Sequence, residues 1–172
     1  MAEPEHHTIT NKVARSGLIT IDLEDWYPSD DEMESMDLAS FLFKGLILRE
    51  KEFREAVDAF DWSRFKEKKV AVYCSADAII PSWAYMLVTS ALFKHTPHIY
   101  FGTLESVSEQ VLLQRLNEHS WEQYSGKRVL LKGCSGKTIP PSAYMCASRQ
   151  LLNYADRLMY GEACSFVPVY RS

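Results

Sequence analysis

The sequence contains an internal duplication with an offset of 59 residues, which constrains the fold more than any other feature of the chain. At that offset Trp62 matches Trp121 and Tyr85 matches Tyr144, and one inserted residue, Gly133, moves the Cys-Ser pairs at 74–75 and 134–135 to an offset of 60. Thirteen positions between 62 and 102 are identical to their counterparts, which excludes chance similarity. A copy this short buries little core by itself, so we expect both copies to fold together as a single domain over residues 1–172.

Each copy has the hydrophobic pattern of a helix, a strand, a second helix and a second strand. Apolar residues recur at helical spacing in the helices, and the strands are short apolar runs. We expect Ser82 and Ser142 to cap the second helix of each copy. The predicted helices cover 46–60, 83–94, 104–116 and 143–155, and the predicted strands cover 70–73, 98–101, 129–131 and 157–160.

This order of elements predicts the α/β class, with a mostly parallel sheet, helices on its faces, and two tandem pseudo-symmetric αβαβ units after an N-terminal strand. The N-terminal strand is predicted at 18–23, and 166–170 is predicted as an edge strand because Pro168 suits only an edge. The predicted parts are an N-terminal strand and acidic segment (1–45), a first repeat unit (46–103), a second repeat unit (104–162) and a C-terminal edge segment (163–172).

Charge is segregated along the chain, although the net charge is only −4. Eight acidic residues and no basic one lie between Asp22 and Asp37, whereas the stretch from 127 to 172 is basic. Internal pairing of the two is the simplest interpretation, and the basic density falls short of a nucleic-acid-binding surface. No apolar run of membrane-spanning length and no secretory leader are present, so we expect a cytoplasmic protein that binds no membrane.

Three of the four cysteines follow predicted strands. Cys74, Cys134 and Cys164 would meet at the carboxyl edge of a parallel sheet, where ligands bind. In a reducing compartment such thiols predict a site for zinc, iron or an iron-sulfur cluster, with Asp25 or Asp77 as a further ligand. The alternative is that these cysteines are small packing residues. Cys146 lies inside a predicted helix and is expected to be a buried, inert thiol.

The loop from Gly133 to Thr138 is similar to a phosphate-binding loop but lacks its first glycine, and prolines follow it. A weaker anion site remains a prediction. Its donors would be the backbone at Gly136, the Lys137 ammonium and the helix amino end at Ser142.

The chain resembles a bacterial family, domain of unknown function family twenty-four-eighty, over nearly its whole length. The segments that carry this resemblance are Asp22–Pro28, Phe43–Leu48, Cys74–Met86, Lys132–Ser135 and Tyr160–Tyr170. The resemblance brings no established activity, but it implies genes that neighbour those of iron-sulfur cluster assembly.

Three functional hypotheses follow, and the sequence leaves open whether the protein is an enzyme. The leading one is an accessory protein in iron-sulfur cluster assembly or metal handling, with iron-sulfur assembly proteins as partners. The second is a non-enzymatic interaction module that forms a homodimer through the apolar helix at Trp83, which has almost no polar side. The third is a small-anion-binding enzyme that uses the Lys137 loop.

Overall fold

The structure is a computed structural model that describes residues 17–133 and 136–172. The described strands are β1 (Leu18–Asp22), β2 (Met33–Asp37), β3 (Lys69–Tyr73), β4 (Ile99–Phe101), β5 (Arg128–Lys132), β6 (Arg157–Glu162) and β7 (Ser165–Arg171). The described α-helices are α1 (Glu50–Ala59), α2 (Ser82–Leu92), α3 (Leu104–Glu118) and α4 (Pro141–Leu151). Cys134 and Ser135, together with His6 and His7, lie outside the described residues.

The strands form two sheets, with the orders β2-β3-β4 and β1-β5-β6-β7. All neighbouring strands are parallel except β6 and β7, which form an antiparallel hairpin. The α/β class, the mostly parallel pairing and the N-terminal strand are thus confirmed. The expectation that both repeats share one sheet is wrong, because the N-terminal stretch supplies a separate third strand to each: β1 pairs with β5, and β2 pairs with β3.

The chain divides into two compact units. The three-stranded unit is Tyr27–Leu112, and the four-stranded unit is Leu113–Ser172 with the N-terminal stretch that ends at Trp26. Helix α3 begins in the first of these and ends in the second. In the three-stranded unit, Phe53, Phe65 and Val88 belong to a core on the α2 side of the sheet, and Val107 and Val111 of α3 pack on its other face.

The duplication is preserved in three dimensions. The Trp62 indole donates a hydrogen bond to the Val57 carbonyl at 3.0 Å, and the Trp121 indole donates the equivalent bond to Leu116 at 2.8 Å. Both indoles are buried. Because a buried indole N–H needs an acceptor, each tryptophan ties the end of the preceding helix to the short 3-10 turn before the next strand.

Three helix starts differ from the sequence expectation. Pro81 and Pro140 occupy the cap positions, so Ser82 lies inside α2 and Ser142 inside α4, and neither cap position contributes a side-chain hydrogen bond. Helix α1 begins at Glu50 rather than at residue 46, because Lys44 and Gly45 both have positive φ and the chain turns there. Within the described ranges, no helix combines the length and the apolar character needed to cross a membrane.

Candidate functional site

The carboxyl end of the three-stranded sheet is held by Asp37, the last residue of β2. Its carboxylate accepts hydrogen bonds from the Ser75 amide at 3.0 Å, the Ser75 hydroxyl at 2.5 Å and the Ala39 amide at 2.9 Å. Burial raises the pKa of Asp37, but these hydrogen bonds to the charged form outweigh it and leave the pKa lowered. Asp37 is therefore a charged tether for the loop that follows Cys74.

Two predicted metal ligands lie in the loop after β3. Cys74 is half-buried, with its sulfur 3.7 Å from the Ala76 carbonyl oxygen, and Asp77 is exposed. Tyr85 lies close to this loop, and its pKa is raised by burial and further by the negative charge of a Cys74 thiolate. The loop thus carries one thiol in a partly desolvated setting.

The carboxyl end of the four-stranded sheet is organised around Lys132, the last residue of β5. Its ammonium lies 3.0 Å from the Asp22 carboxylate and 3.9 Å from the Glu162 carboxylate. The hydrogen bond and charge of Asp22 raise the pKa of Lys132, with a smaller contribution from Glu162. This edge therefore contains a charged lysine whose positive charge is balanced by carboxylates of the same unit.

The predicted anion-binding residues lie beside this cluster. The Gly136 amide donates a 2.9 Å hydrogen bond to the Glu24 carboxylate, Lys137 is exposed, and Ser142 lies in the first turn of α4. One donor expected to bind an external anion thus already binds an internal one. The three residues remain a predicted anion site, at which the Glu24 carboxylate would compete with a bound anion for the Gly136 amide.

The remaining predicted metal ligands are spread over the fold. Cys164 is exposed in the turn between β6 and β7, and Asp25 is exposed in the 3-10 turn after β1. Cys74 follows a strand of one sheet and Cys164 a strand of the other, so the shared edge assumed from the sequence does not exist. In the part of the chain that the structure describes, no three His, Cys, Asp or Glu side chains form a metal-binding group. The five-residue ligand set, which includes Cys134, stays a prediction.

Cys146 differs from these thiols, as expected. It is buried within α4, and its sulfur lies 3.5 Å from the Asn117 side-chain oxygen. Its role as a packing thiol is confirmed.

The acidic segment pairs internally, with bases of both repeats. Glu32 lies 2.7 Å from Lys69 and Glu34 lies 2.7 Å from Arg64, both partners belonging to the first repeat. Asp22 pairs with Lys132, in the basic stretch of the second repeat. The acidic residues therefore fasten β2 and β1 to their own sheets.

Comparison with known proteins gives one match. The family described as "Protein of unknown function (DUF2480)" matches residues 7–172. The chain belongs to the DUF2480 family. Among curated proteins and among solved structures, no match was found.

Sequence reasoning singled out the apolar helix at Trp83 but missed that an apolar surface of this DUF2480 protein recurs on α4. Met86 of α2 and Met145 of α4 occupy equivalent positions and are 71% and 73% exposed. In the three-stranded unit, Met86 belongs to a groove of about 440 Å³ that is lined by Tyr85, Met86, Thr89, Ser90 and Phe93. The repeat was the available signal, since Met86 and Met145 are identical residues at positions where a soluble helix usually carries a polar side chain.

Each of these surfaces is bordered by an aromatic pair. Tyr85 contacts Phe101 edge to face with ring centroids 5.4 Å apart, and Tyr144 contacts Tyr160 at the same distance and the same interplanar angle of 81°. The two units of this DUF2480 protein thus present the same apolar arrangement twice, with different residues around it.

Proposed function

We propose that this DUF2480 protein is a non-enzymatic interaction module that forms a homodimer through the outer face of α2. The observation that carries the proposal is the exposure of Met86 and of the C-cap residue Phe93 on a helix, Ser82–Leu92, that contains no charged residue. Soluble proteins seldom leave large apolar side chains grouped on an uncharged face unless that face is covered by a partner.

A second copy is the partner that this face fits best. In a two-fold contact the same patch lies on both sides, so a charged residue near the axis meets its own copy. The outer face of α2 avoids that repulsion because the other exposed residues of the helix, Ser82, Thr89 and Ser90, are uncharged. Charged side chains would also have to be desolvated in the interface, a cost that α2 does not carry.

The equivalent face of α4 is less suited to self-association. Arg149 lies on α4 and donates a hydrogen bond to the Asn117 side chain, which Gln150 also contacts. A two-fold contact there would bring two guanidinium groups together. The unit with the uncharged helix is therefore the one we assign to dimerisation.

The test is sedimentation velocity over a concentration series with the Met86→Lys and Met145→Lys variants. The wild-type chain should dimerise, and Met86→Lys should weaken association by about tenfold or more because it puts two ammonium groups in the interface. Met145→Lys, the matched control, adds the same charge at the equivalent exposed position and should leave the dimer intact. A monomeric wild-type chain, or equal loss in both variants, would contradict the proposal.

Metal handling is a second candidate, favoured by the exposure of Cys164 and by the position of Cys74 directly after a strand. In this proposal Cys74, Cys134 and Cys164 hold zinc, iron or an iron-sulfur species, and iron-sulfur assembly proteins are the partners. Anaerobic purification without an affinity tag, followed by elemental analysis, should then detect metal that is lost on Cys164→Ser and kept on Cys146→Ser. Metal-free wild-type protein would end this hypothesis.

A further inference from the structure

The two repeats differ at one sheet edge, and the difference exposes a site. In the four-stranded unit the outer edge of β6 is covered by β7, which pairs with it antiparallel from Arg157↔Arg171 to Glu162↔Ser165. The equivalent strand of the other unit is β4, since the register Val70↔Ile99 repeats 59 residues later as Val129↔Leu158. Among the described residues, no strand pairs with the outer edge of β4.

The main chain of β4 shows which groups point to that edge. The Val70 amide donates to the His98 carbonyl at 2.8 Å, and the Gly102 amide donates to the Val72 carbonyl at 3.0 Å. Alternate residues of a parallel strand bond to the same neighbour, so His98, Tyr100 and Gly102 face β3. The main-chain groups of Ile99 and Phe101 therefore face the open edge.

The positions equivalent to Ile99 and Phe101 are the ones that receive β7 in the other unit. They are Leu158 and Tyr160, which lie opposite Tyr170 and Val167 of β7. Pro168 has no N–H and lies opposite Met159. The main-chain groups of Met159 face β5, as those of its counterpart Tyr100 face β3, so the proline removes no hydrogen bond between β6 and β7.

The side chains at the β4 edge are arranged to be covered. Phe101 is 70% exposed, whereas Tyr160, which is paired with β7, is 41% exposed. Phe101 contacts Tyr85 edge to face, as Tyr160 contacts Tyr144. The side-chain arrangement found beside β7 in one unit is therefore already present at the β4 edge of the other. The Phe101 carbonyl accepts a long, exposed hydrogen bond of 3.3 Å from the Gln110 side chain, which an incoming amide can replace.

We propose that the outer edge of β4 is a strand-acceptor site, at which an extended apolar segment of a partner protein adds antiparallel, as β7 adds to β6. Main-chain hydrogen bonds to Ile99 and Phe101 supply affinity, and apolar residues of the segment cover the Phe101 ring. The chemistry of the segment follows β7, where Phe166, Val167, Val169 and Tyr170 are all exposed apolar residues. The β7 segment of another copy is already paired with its own β6, so the occupant is a different protein. This inference goes beyond dimerisation through α2.

The test is a titration of the isotope-labelled full chain with a peptide that copies residues 165–172. Amide shifts should move at 99–102 and at Gln110, and the Ile99 and Phe101 amides should gain protection from hydrogen exchange. Phe101→Lys should weaken binding by about tenfold because it places a charge on the edge. Ile99→Pro should do the same, since it removes an edge donor without breaking a bond to β3. Thermal unfolding of both variants verifies that they fold.

The matched control is Phe93→Lys, which adds the same charge to the neighbouring α2 face and should leave peptide binding unchanged. Equal loss in Phe93→Lys would place the peptide on α2 and overturn the proposal. Three other outcomes would also overturn the proposal. Amide shifts centred on β6 would mean that the peptide exchanges with β7, and concentration-dependent protection of β4 without peptide would mean that β4 pairs with another copy of the chain. An absence of shifts would mean that the β4 edge binds no strand. A monomeric wild-type chain that binds the peptide would remove the proposed dimer and leave the strand-acceptor site standing.

Discussion

The three-stranded and four-stranded units share the same order of helices and strands but differ in their exposed loops and sheet edges. Ile79 and Ile139 are the same residue at equivalent positions, yet Ile79 is 94% exposed and Ile139 is 7% exposed. The loop after β3 is tethered by Asp37, whereas the loop after β5 reaches Glu24 through the Gly136 amide. The two copies therefore retain the core contacts of the duplication and use their loops and edges for different purposes.

The largest effects are expected from the paired tryptophans. Trp62→Ala and Trp121→Ala each remove a buried indole and its hydrogen bond, so each should lower the free energy of unfolding by about 3–5 kcal/mol. Denaturant unfolding measures the loss, and hydrogen exchange shows which unit opens. If one tryptophan is worth less than about 1 kcal/mol, the two cores are not equivalent.

Two equivalent glycines, Gly102 directly after β4 and Gly161 near the end of β6, should give smaller and unequal losses of stability. Gly102 and Gly161 have φ of +134° and +120°, a region that side chains rarely adopt, so alanine strains both. A Cβ at Gly161 would also lie 2.7 Å from the Ser165 carbonyl oxygen, which is backbone, whereas at Gly102 it would overlap the Ser106 hydroxyl, which can rotate. Gly161→Ala should therefore cost about 2–3 kcal/mol and Gly102→Ala about 1–2 kcal/mol in thermal unfolding. The reverse order would show that the β6–β7 turn yields more easily than the start of α3.

The strand-end tethers are expected to be worth less. Asp37→Ala removes the acceptor for the Ala39 and Ser75 amides and should cost about 1–2 kcal/mol. Glu24→Ala removes the carboxylate that accepts the bond from the exposed Gly136 amide and should cost about 0.5 kcal/mol. Equal losses in urea unfolding would mean that the two loops are held equally firmly.

The smallest effect is a histidine-linked pH dependence in the four-stranded unit. Burial lowers the pKa of His119, whose ring lies 4.8 Å from that of Trp121; its counterpart is Phe60, which lies 4.7 Å from Trp62. The unfolded chain binds the proton more readily, so stability is full above the ordinary histidine pKa of about 6.5 and falls as pH drops below it. His119→Phe should flatten this loss in thermal unfolding between about pH 5 and 7. An unchanged slope would assign the dependence to another group.

Much of the fold was predictable because the duplication allowed each element to be identified twice. Helices and strands of both repeats were found within a few residues, since their apolar spacing reflects local geometry. Strand β2 was missed, because its buried Met33 and Met36 do not alternate and its acidic residues resemble a solvated loop. Glu34 of β2 pairs with Arg64, and Glu32 just before β2 pairs with Lys69. Both partners are about 30 or more residues away in the sequence, so no local pattern predicts these pairs.

The candidate site was predicted less well, for a related reason. The sequence correctly placed Cys74 and Cys164 beyond strand ends, but their convergence depended on both strands belonging to one sheet. The sequence indicated an oligomer contact for the apolar helix at Trp83 but did not show that Met86 and Met145 are exposed, because apolar spacing on a helix does not distinguish a covered face from an open one.

The sequence by itself determined the αβαβ repeat and the buried Cys146, because both rest on short-range spacing and on the burial of apolar side chains. Only the tertiary structure decided that β1 and β2 join different sheets, and that among the described residues β7 covers β6 while the outer edge of β4 has no strand beside it. Strand pairing joins residues far apart in the chain, and its backbone hydrogen bonds are nearly independent of side-chain identity, so local sequence cannot specify which edge remains exposed.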